Sequence, residues 1–258
     1  MEHTMKDVQN EADFRNLDID KVGVKNLSYP IVLSDKFHDK QHTVANVNMS
    51  VHLPHHFRGT HMSRFIEILN RHSMAMDIHK MGDIMKEMKS VLDAEAAHLE
   101  LSFPYFIEKE APVSKSKSLL EYQCQFLGSL NDKIRLTLGV TVPVITLCPC
   151  SKEISEYNAH NQRGEVSVKV QFKGFLWIED IIGLVESCAS EQMYSLLKRE
   201  DEKYITEKAY ENPAFVEDVV RNVAMKLNRH ENILDYKVEV VSFESIHNHD
   251  AYAIIEKH

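Results

Sequence analysis

Ala45-Asn-Val-Asn-Met-Ser-Val-His-Leu53 is the stretch that decides the fold class of this chain. Apolar Ala45, Val47, Met49, Val51 and Leu53 alternate with polar Asn46, Asn48, Ser50 and His52. Successive side chains of a strand point to opposite faces, so period two over these residues describes a β-strand with one face buried. Toward the N-terminus a weaker strand reads over 22–33. Toward the C-terminus helical spacing appears over Ser63–His72 and again over Asp83–Leu92, where Ile84, Met88, Val91 and Leu92 share a face. Two more alternating runs follow, Ala97, Leu99, Leu101, Phe103 and then Leu120, Tyr122, Cys124, Phe126. The block reads strand–strand–helix–helix–strand–strand.

The same order returns in the second half. Ile134, Leu136, Leu138, Val140 and Val142 alternate, as do Val166, Val168, Val170 and Phe172. Helical spacing follows at Ile178, Ile181, Ile182 and Val185. A stronger helix is expected to open at Asn212-Pro213, with Asn as N-cap and Pro at the first helical position. Its apolar stripe is Val216, Val219, Val220, Val223 and Leu227, and strands over 235–243 and 251–256 close the block. Paired strands flanking helices predict an α+β protein with antiparallel sheets and helices on one face. The expected organisation is a flexible polar leader over 1–20, a first ββααββ module over 21–130 and a second over 131–258. Open sheets leave edge strands to be covered, so a closed oligomer is expected.

Composition narrows the function. Hydrophobic residues at 43% and charged residues at 27% describe an ordinary globular chain rather than a disordered one. Lys and Arg number 30 against 39 Asp and Glu, a balance that argues against nucleic acid as partner but leaves room for a small anionic substrate. No apolar run approaches a membrane span and no signal-like segment follows Met1, so a cytoplasmic protein without membrane partners is expected. Four cysteines in 258 residues make no disulfide framework, which fits a reducing compartment.

The chemistry concentrates in connections. Leu147-Cys-Pro-Cys-Ser-Lys152 leaves a strand end, and His160 stands eleven residues beyond Cys148. Cys124 and Cys188 fall within apolar patterns and read as small buried hydrophobes. Cys148 and Cys150 lie in a polar stretch with no apolar stripe to cover them. Cys-x-Cys without a partner pair does not suit a structural zinc site, whereas a three-ligand site with open positions needs only one carboxylate from elsewhere. Phe243-Glu-Ser-Ile-His-Asn-His-Asp250 packs Glu244 and His247 into a turn, as acid–base groups or as a polar hairpin. His61 and Arg64 sit at the start of a helix, where they suit an anion or a solvated basic loop. Glu202 and Glu217 lie in or beside helical segments, and spacing singles out neither.

Five segments together resemble the type IB GTP cyclohydrolases of the bacterial folate pathway. They are Gly59-Thr-His-Met-Ser-Arg-Phe65, Leu147-Cys-Pro-Cys-Ser-Lys152, Ala159-His-Asn-Gln-Arg163, Asn212-Pro-Ala-Phe-Val-Glu-Asp218 and Phe243–Asp250. One departure is Asn158, where that family's pattern has Gly; Asn is the next most tolerant residue of a left-handed turn. The resemblance implies the tunnelling fold, a homotetramer with active sites at subunit interfaces, and conversion of GTP to 7,8-dihydroneopterin triphosphate and formate. It implies Cys148, His160 and Glu202 as ligands of one divalent metal, Mn2+ by preference with Zn2+ or Fe2+ tolerated, that activates water for attack on guanine C8. It further implies Glu217 as the carboxylate that reads guanine, Glu244 and His247 as proton-transfer groups, and Arg64 and His61 at the triphosphate, with Lys152 and Arg163 as further cations. Two other readings compete. One is a nitrile reductase of the same fold, in which a cysteine attacks covalently and NADPH supplies hydride. The other is a non-catalytic purine- or pterin-binding module. An archaeal-type relative that forms a cyclic phosphate belongs to the same class.

Overall fold

Alternation is realised as expected in the strand that carries the opening motif. In the computed structural model, which describes residues 9, 11–72, 78 and 80–257, that strand is β2, Asp39–Leu53. Ala45, Val47, Met49 and Val51 are at most 1% exposed, so the predicted inner face is the buried one. β2 lies between β1, Ile19–Asp35, and β3, Ala97–Glu110, antiparallel to both. β1 is longer than its sequence signal. Two register shifts, between Ile19 and Val22 and between Val24 and Leu27, interrupt its alternation, and Asn26 turns to φ 58°. A bulge inserts an unpaired residue and reverses parity, which explains the weak pattern.

The described chain forms two compact units, 1–103 with 125–137, and 104–124 with 138–258. In the first, α1, Met62–His72, buries Phe65, Ile68 and Leu69, and α2, Lys80–Val91, buries Met81, Ile84, Met85 and Met88. β4, Lys117–Leu130, contributes its C-terminal part here, and Gly128 meets α2 closely. A Cβ at Gly128 would lie 2.9 Å from Met85 Cε, so a side chain there would push the end of that methionine aside. Of the leader, residues 1–8 and 10 lie outside the described residues. The part that follows is held rather than loose: Ala12 bridges Phe57, and Asp13 N–H donates to His56 O at 3.2 Å.

The second unit holds β5, Ile134–Leu147, from residue 138 on, β6, Asn161–Phe172, β8, Ile233–Ser242, and β9, Ala251–Lys257, in the order β5-β6-β8-β9. The two-residue β7, Glu191–Gln192, pairs with β5. Beside them stand α3, Pro149–Ile154, α4, Ile178–Glu186, α5, Arg199–Glu211, and α6, Val216–Asn228. α4 buries Ile178, Ile181, Ile182 and Val185, and α6 buries Val216, Val219, Val220, Val223 and Leu227, the stripes expected from spacing. The helix start expected at Asn212-Pro213 is corrected. Asn212 is the C-cap of α5, and its Nδ2 donates to Ala189 O at 2.9 Å. α6 begins three residues later because Asp218 Oδ2 accepts the Phe215 N–H at 3.1 Å, satisfying a donor at the helix start that would otherwise lack a partner.

α5 has no broad apolar stripe. Its start is pinned instead by Asp201, whose Oδ1 accepts the N–H groups of Val113 and Ser114, both at 2.8 Å. Burial works to raise the pKa of Asp201, but the Ser114, Lys198 and Val113 hydrogen bonds outweigh it and hold the carboxyl well below the usual range. Under α4, Tyr105 is fully buried and its hydroxyl donates to Glu179 Oε1 at 2.7 Å. Tyr105→Phe removes that buried bond and is expected to cost about 1–3 kcal/mol. Urea unfolding checks this as a lower midpoint at unchanged slope.

Candidate active site

The excursion between β5 and β6 folds back so that its two ends meet. Cys148 N–H donates to the His160 carbonyl at 3.1 Å. The Ser151 hydroxyl donates to Cys148 O at 3.2 Å and accepts the His160 N–H at 3.3 Å. Between them runs α3, with Cys148 as N-cap, Pro149 in its first turn, and the Ser151 N–H donated to Cys148 Sγ at 3.4 Å. The Pro-at-helix-start rule thus operates at Pro149 rather than at Pro213. Asn158 makes the return turn at φ 109°, and its own Oδ1 accepts the Ala159 N–H at 2.9 Å.

Cys148 and His160 line a cavity of about 490 Å³, together with Gln162 of β6, Glu217 of α6, and Glu244 and His247 of the β8–β9 connection. That volume lies within the rough 300–1,000 Å³ range of small-molecule sites. Phe215 and Tyr252 also line it and are 39% and 69% exposed, which presents flat apolar surface beside the polar groups. Glu217 stands in the first turn of α6, beside Asp218, whose carboxylate accepts the Phe215 N–H. The His247 and His249 rings stack at 5.0 Å and 17°.

The remaining expected residues lie elsewhere. Glu202 is exposed in the first turn of α5 and does not line this cavity. Among the described residues no three His, Cys, Asp or Glu side chains converge closely enough to hold an ion. His61 and Arg64 belong to the first compact unit, whereas the cavity is lined wholly by the second. Arg64 Nη1 donates to Val91 O at 3.0 Å. Lys152 is engaged with Tyr210, its Nζ 2.5 Å from the carbonyl and 4.3 Å from the ring centroid. Cys124 and Cys188 are buried, and burial pushes both thiols up in pKa, as befits small hydrophobes. Cys150 is exposed and lies outside the cavity lining.

Sequence reasoning missed Gln162. A signal existed: β6 buries Gly164, Val166, Val168 and Val170, and parity places Gln162 on their face while Arg163 is exposed. Its amide Oε1 lies 2.9 Å from His160 Nδ1, and its Nε2 lies 3.3 Å from Glu244 Oε1.

Residues 5–253 match the family described as type I GTP cyclohydrolase folE2. The chain belongs to that family. It is 57% identical over 252 residues to the GTP cyclohydrolase FolE2 of Syntrophotalea carbinolica, covering 98% of this chain and 95% of the relative. To the GTP cyclohydrolase FolE2 of Nitrosococcus oceani it is 54% identical over 258 residues, covering 100% and 97%. Among solved structures it resembles a uricase from Bacillus fastidious, with TM-score 0.58 and 8% identity over 95% of this chain and 94% of that one. The uricase from Arthrobacter globiformis gives 0.52 and 9% over 92% of each. At that identity the likeness concerns fold alone, and the fold is the tunnelling fold, as expected.

Asp218→Ala removes the carboxylate bond at the start of α6. It is expected to lower stability by about 1 kcal/mol, a typical cost for a lost helix-start bond. A urea midpoint lowered at unchanged slope checks this.

Proposed function

We propose that this chain is a metal-dependent GTP cyclohydrolase that converts GTP and water to 7,8-dihydroneopterin triphosphate and formate, the first step of tetrahydrofolate synthesis. The observation that carries the reading is the convergence of Cys148, His160, Glu217 and Glu244 on one cavity. Cys148 and His160 hold the cation in this proposal, with Glu202, which stands outside their cavity in the single chain, as the proposed third donor. Thiolate and imidazole fit a divalent transition metal by donor chemistry, and by softness they suit Zn2+ or Fe2+. A preference for Mn2+ would rest on oxygen donors, which makes the Glu202 carboxylate the deciding ligand. When bound, the ion supplies Lewis acidity and a lowered pKa for water.

The side chains of the cavity divide the remaining work. Glu217 accepts hydrogen bonds from guanine N1–H and the 2-amino group, two donors that adenine does not present together. Phe215 and Tyr252 offer apolar faces to the base. Glu244 and His247 exchange protons with the opening imidazole ring and the rearranging ribose. No Lys or Arg is among the cavity-lining residues described, so the triphosphate calls for cations from outside it. Arg64 and His61 are proposed for that role in a homotetramer whose sites lie at subunit interfaces. Support for assembly comes from β9, which pairs only with β8 among the described strands and exposes Ile254 at 42%. No helix among the described residues is long and apolar enough to cross a membrane, which accords with the proposed cytoplasmic location.

Incubation with GTP and Mn2+ is expected to release formate and a product of the mass of dihydroneopterin triphosphate, and a chelator to stop both. A cyclic-phosphate product mass, or full activity after chelation, would overturn the proposal. Cys148→Ser and His160→Ala are expected to deplete metal and abolish turnover, as read by metal analysis and formate assay. Glu202→Gln is expected to weaken Mn2+ more than Zn2+. Glu217→Gln is expected to raise the KM for GTP about tenfold to a hundredfold, the worth of one charged hydrogen bond, with metal content unchanged.

A further inference from the structure

Gln162 has no part in the roles above, yet its amide meets five polar groups, the farthest being Ser245 Oγ at 3.5 Å from Oε1. Oε1 lies 2.9 Å from His160 Nδ1. Nε2 lies 3.0 Å from Ser242 Oγ, 3.2 Å from Thr146 Oγ1 and 3.3 Å from Glu244 Oε1. The two hydroxyls bond each other at 3.0 Å and are 2% and 1% exposed, so they form a fixed base under the amide. They belong to β8 and β5, the strands on either side of the one that carries Gln162. The amide is therefore held from the two flanking strands, from His160 and from the β8–β9 connection at once.

Which end of the amide faces which neighbour follows from donor chemistry. A carboxylate only accepts, so Glu244 requires the NH2 end of Gln162. The carbonyl end then faces His160, and a carbonyl can only accept. His160 Nδ1 must carry the proton, which leaves the lone pair of the neutral ring on Nε2. Of the two NH2 hydrogens one serves Glu244 and the other is left to Ser242 and Thr146, either of which can accept it whichever of them donates to the other.

We propose that Gln162 is a positioning residue of the active site, fixing His160 in the Nδ1–H tautomer that ligates through Nε2 while holding the Glu244 carboxylate at the cavity wall. This rests on the reading that His160 is a metal ligand. A second partner that orients a ligating imidazole is worth about tenfold to a hundredfold in metal affinity. Glutamine serves both ends because it alone couples an acceptor and a donor at this reach. Glutamate would keep the acceptor toward His160 but set a second carboxylate against Glu244, and leucine would serve neither end.

The test uses the full-length protein, with Zn2+ and Mn2+ affinities measured by chelator competition, the absorption spectrum of the Co2+-loaded protein, and steady-state turnover of GTP. Gln162→Leu is expected to lose about tenfold to a hundredfold in ion affinity and to change the Co2+ spectrum. Gln162→Glu is expected to keep ion affinity within about threefold, because the Nδ1–H acceptor remains. The same variant is expected to lose about a hundredfold in kcat with little change in KM, because Glu244 is displaced from its proton-transfer position. Parent-like affinity in Gln162→Leu, with affinity lost in His160→Ala, overturns the role of Gln162 and leaves the ligand assignment standing. Parent-like affinity in both variants overturns the two together. Equal loss of the ion in Gln162→Glu and His160→Ala reduces Gln162 to packing and overturns the proposal, and this comparison stands even if Gln162→Leu does not fold.

Discussion

The hydrogen bond from Cys148 N–H to the His160 carbonyl is the constraint on which the site depends. It joins the end of β5 to the start of β6 across an excursion whose length would otherwise leave the sulfur and the imidazole to wander. α3 fills that excursion with its own backbone bonds, and the Ser151 hydroxyl doubles the closure by donating to one end and accepting from the other. With the two strand ends locked, the residues that follow in β6 have their direction decided by parity as far as the register shift between Gln171 and Phe172. Gln162 is directed to the buried face and Arg163 to the exposed one.

Around that lock the unit assembles groups far apart in the chain. α6 delivers Glu217 by its first turn, the place where a short carboxylate bond to the backbone sets the helix start. The β8–β9 connection delivers Glu244 and His247, held between strands paired in register from Tyr236 to Ser242. Flexible connections on a rigid sheet are the usual home of chemistry, because the sheet fixes their ends while their sequence is released from core packing. The uricases make the same point from the other side. They share the fold at 8–9% identity, so the sheet and helices alone do not specify the reaction.

How much could be read in advance depended on the range of the interaction. The stripes of α4 and α6 and the inner face of β2 were legible because burial repeats every two, three or four residues. β1 was faint because bulges shift its parity, and α5 was faint because its buried positions are few and one of them is Asp201. Asn212-Pro213 misled for a related reason. The pair has the chemistry of a helix start, but Asn212 spends its side chain on the carbonyls of Ala189 and Ser190 and ends α5 instead.

By itself the sequence determined which faces are buried, which cysteines sit in apolar surroundings, and which segments resemble the type I GTP cyclohydrolase family. Those are properties of near neighbours along the chain and of residue type. Only the tertiary structure decided that Cys148 and His160 close on each other, that Glu202 stands outside their cavity, and that Gln162 joins His160 to Glu244. The Gln162 contacts to Ser242 and Glu244 span 80 and 82 residues. No local spacing encodes a bond of that reach. It exists because β6 and β8 pair in one register, and that register is set by the packing of the whole buried face.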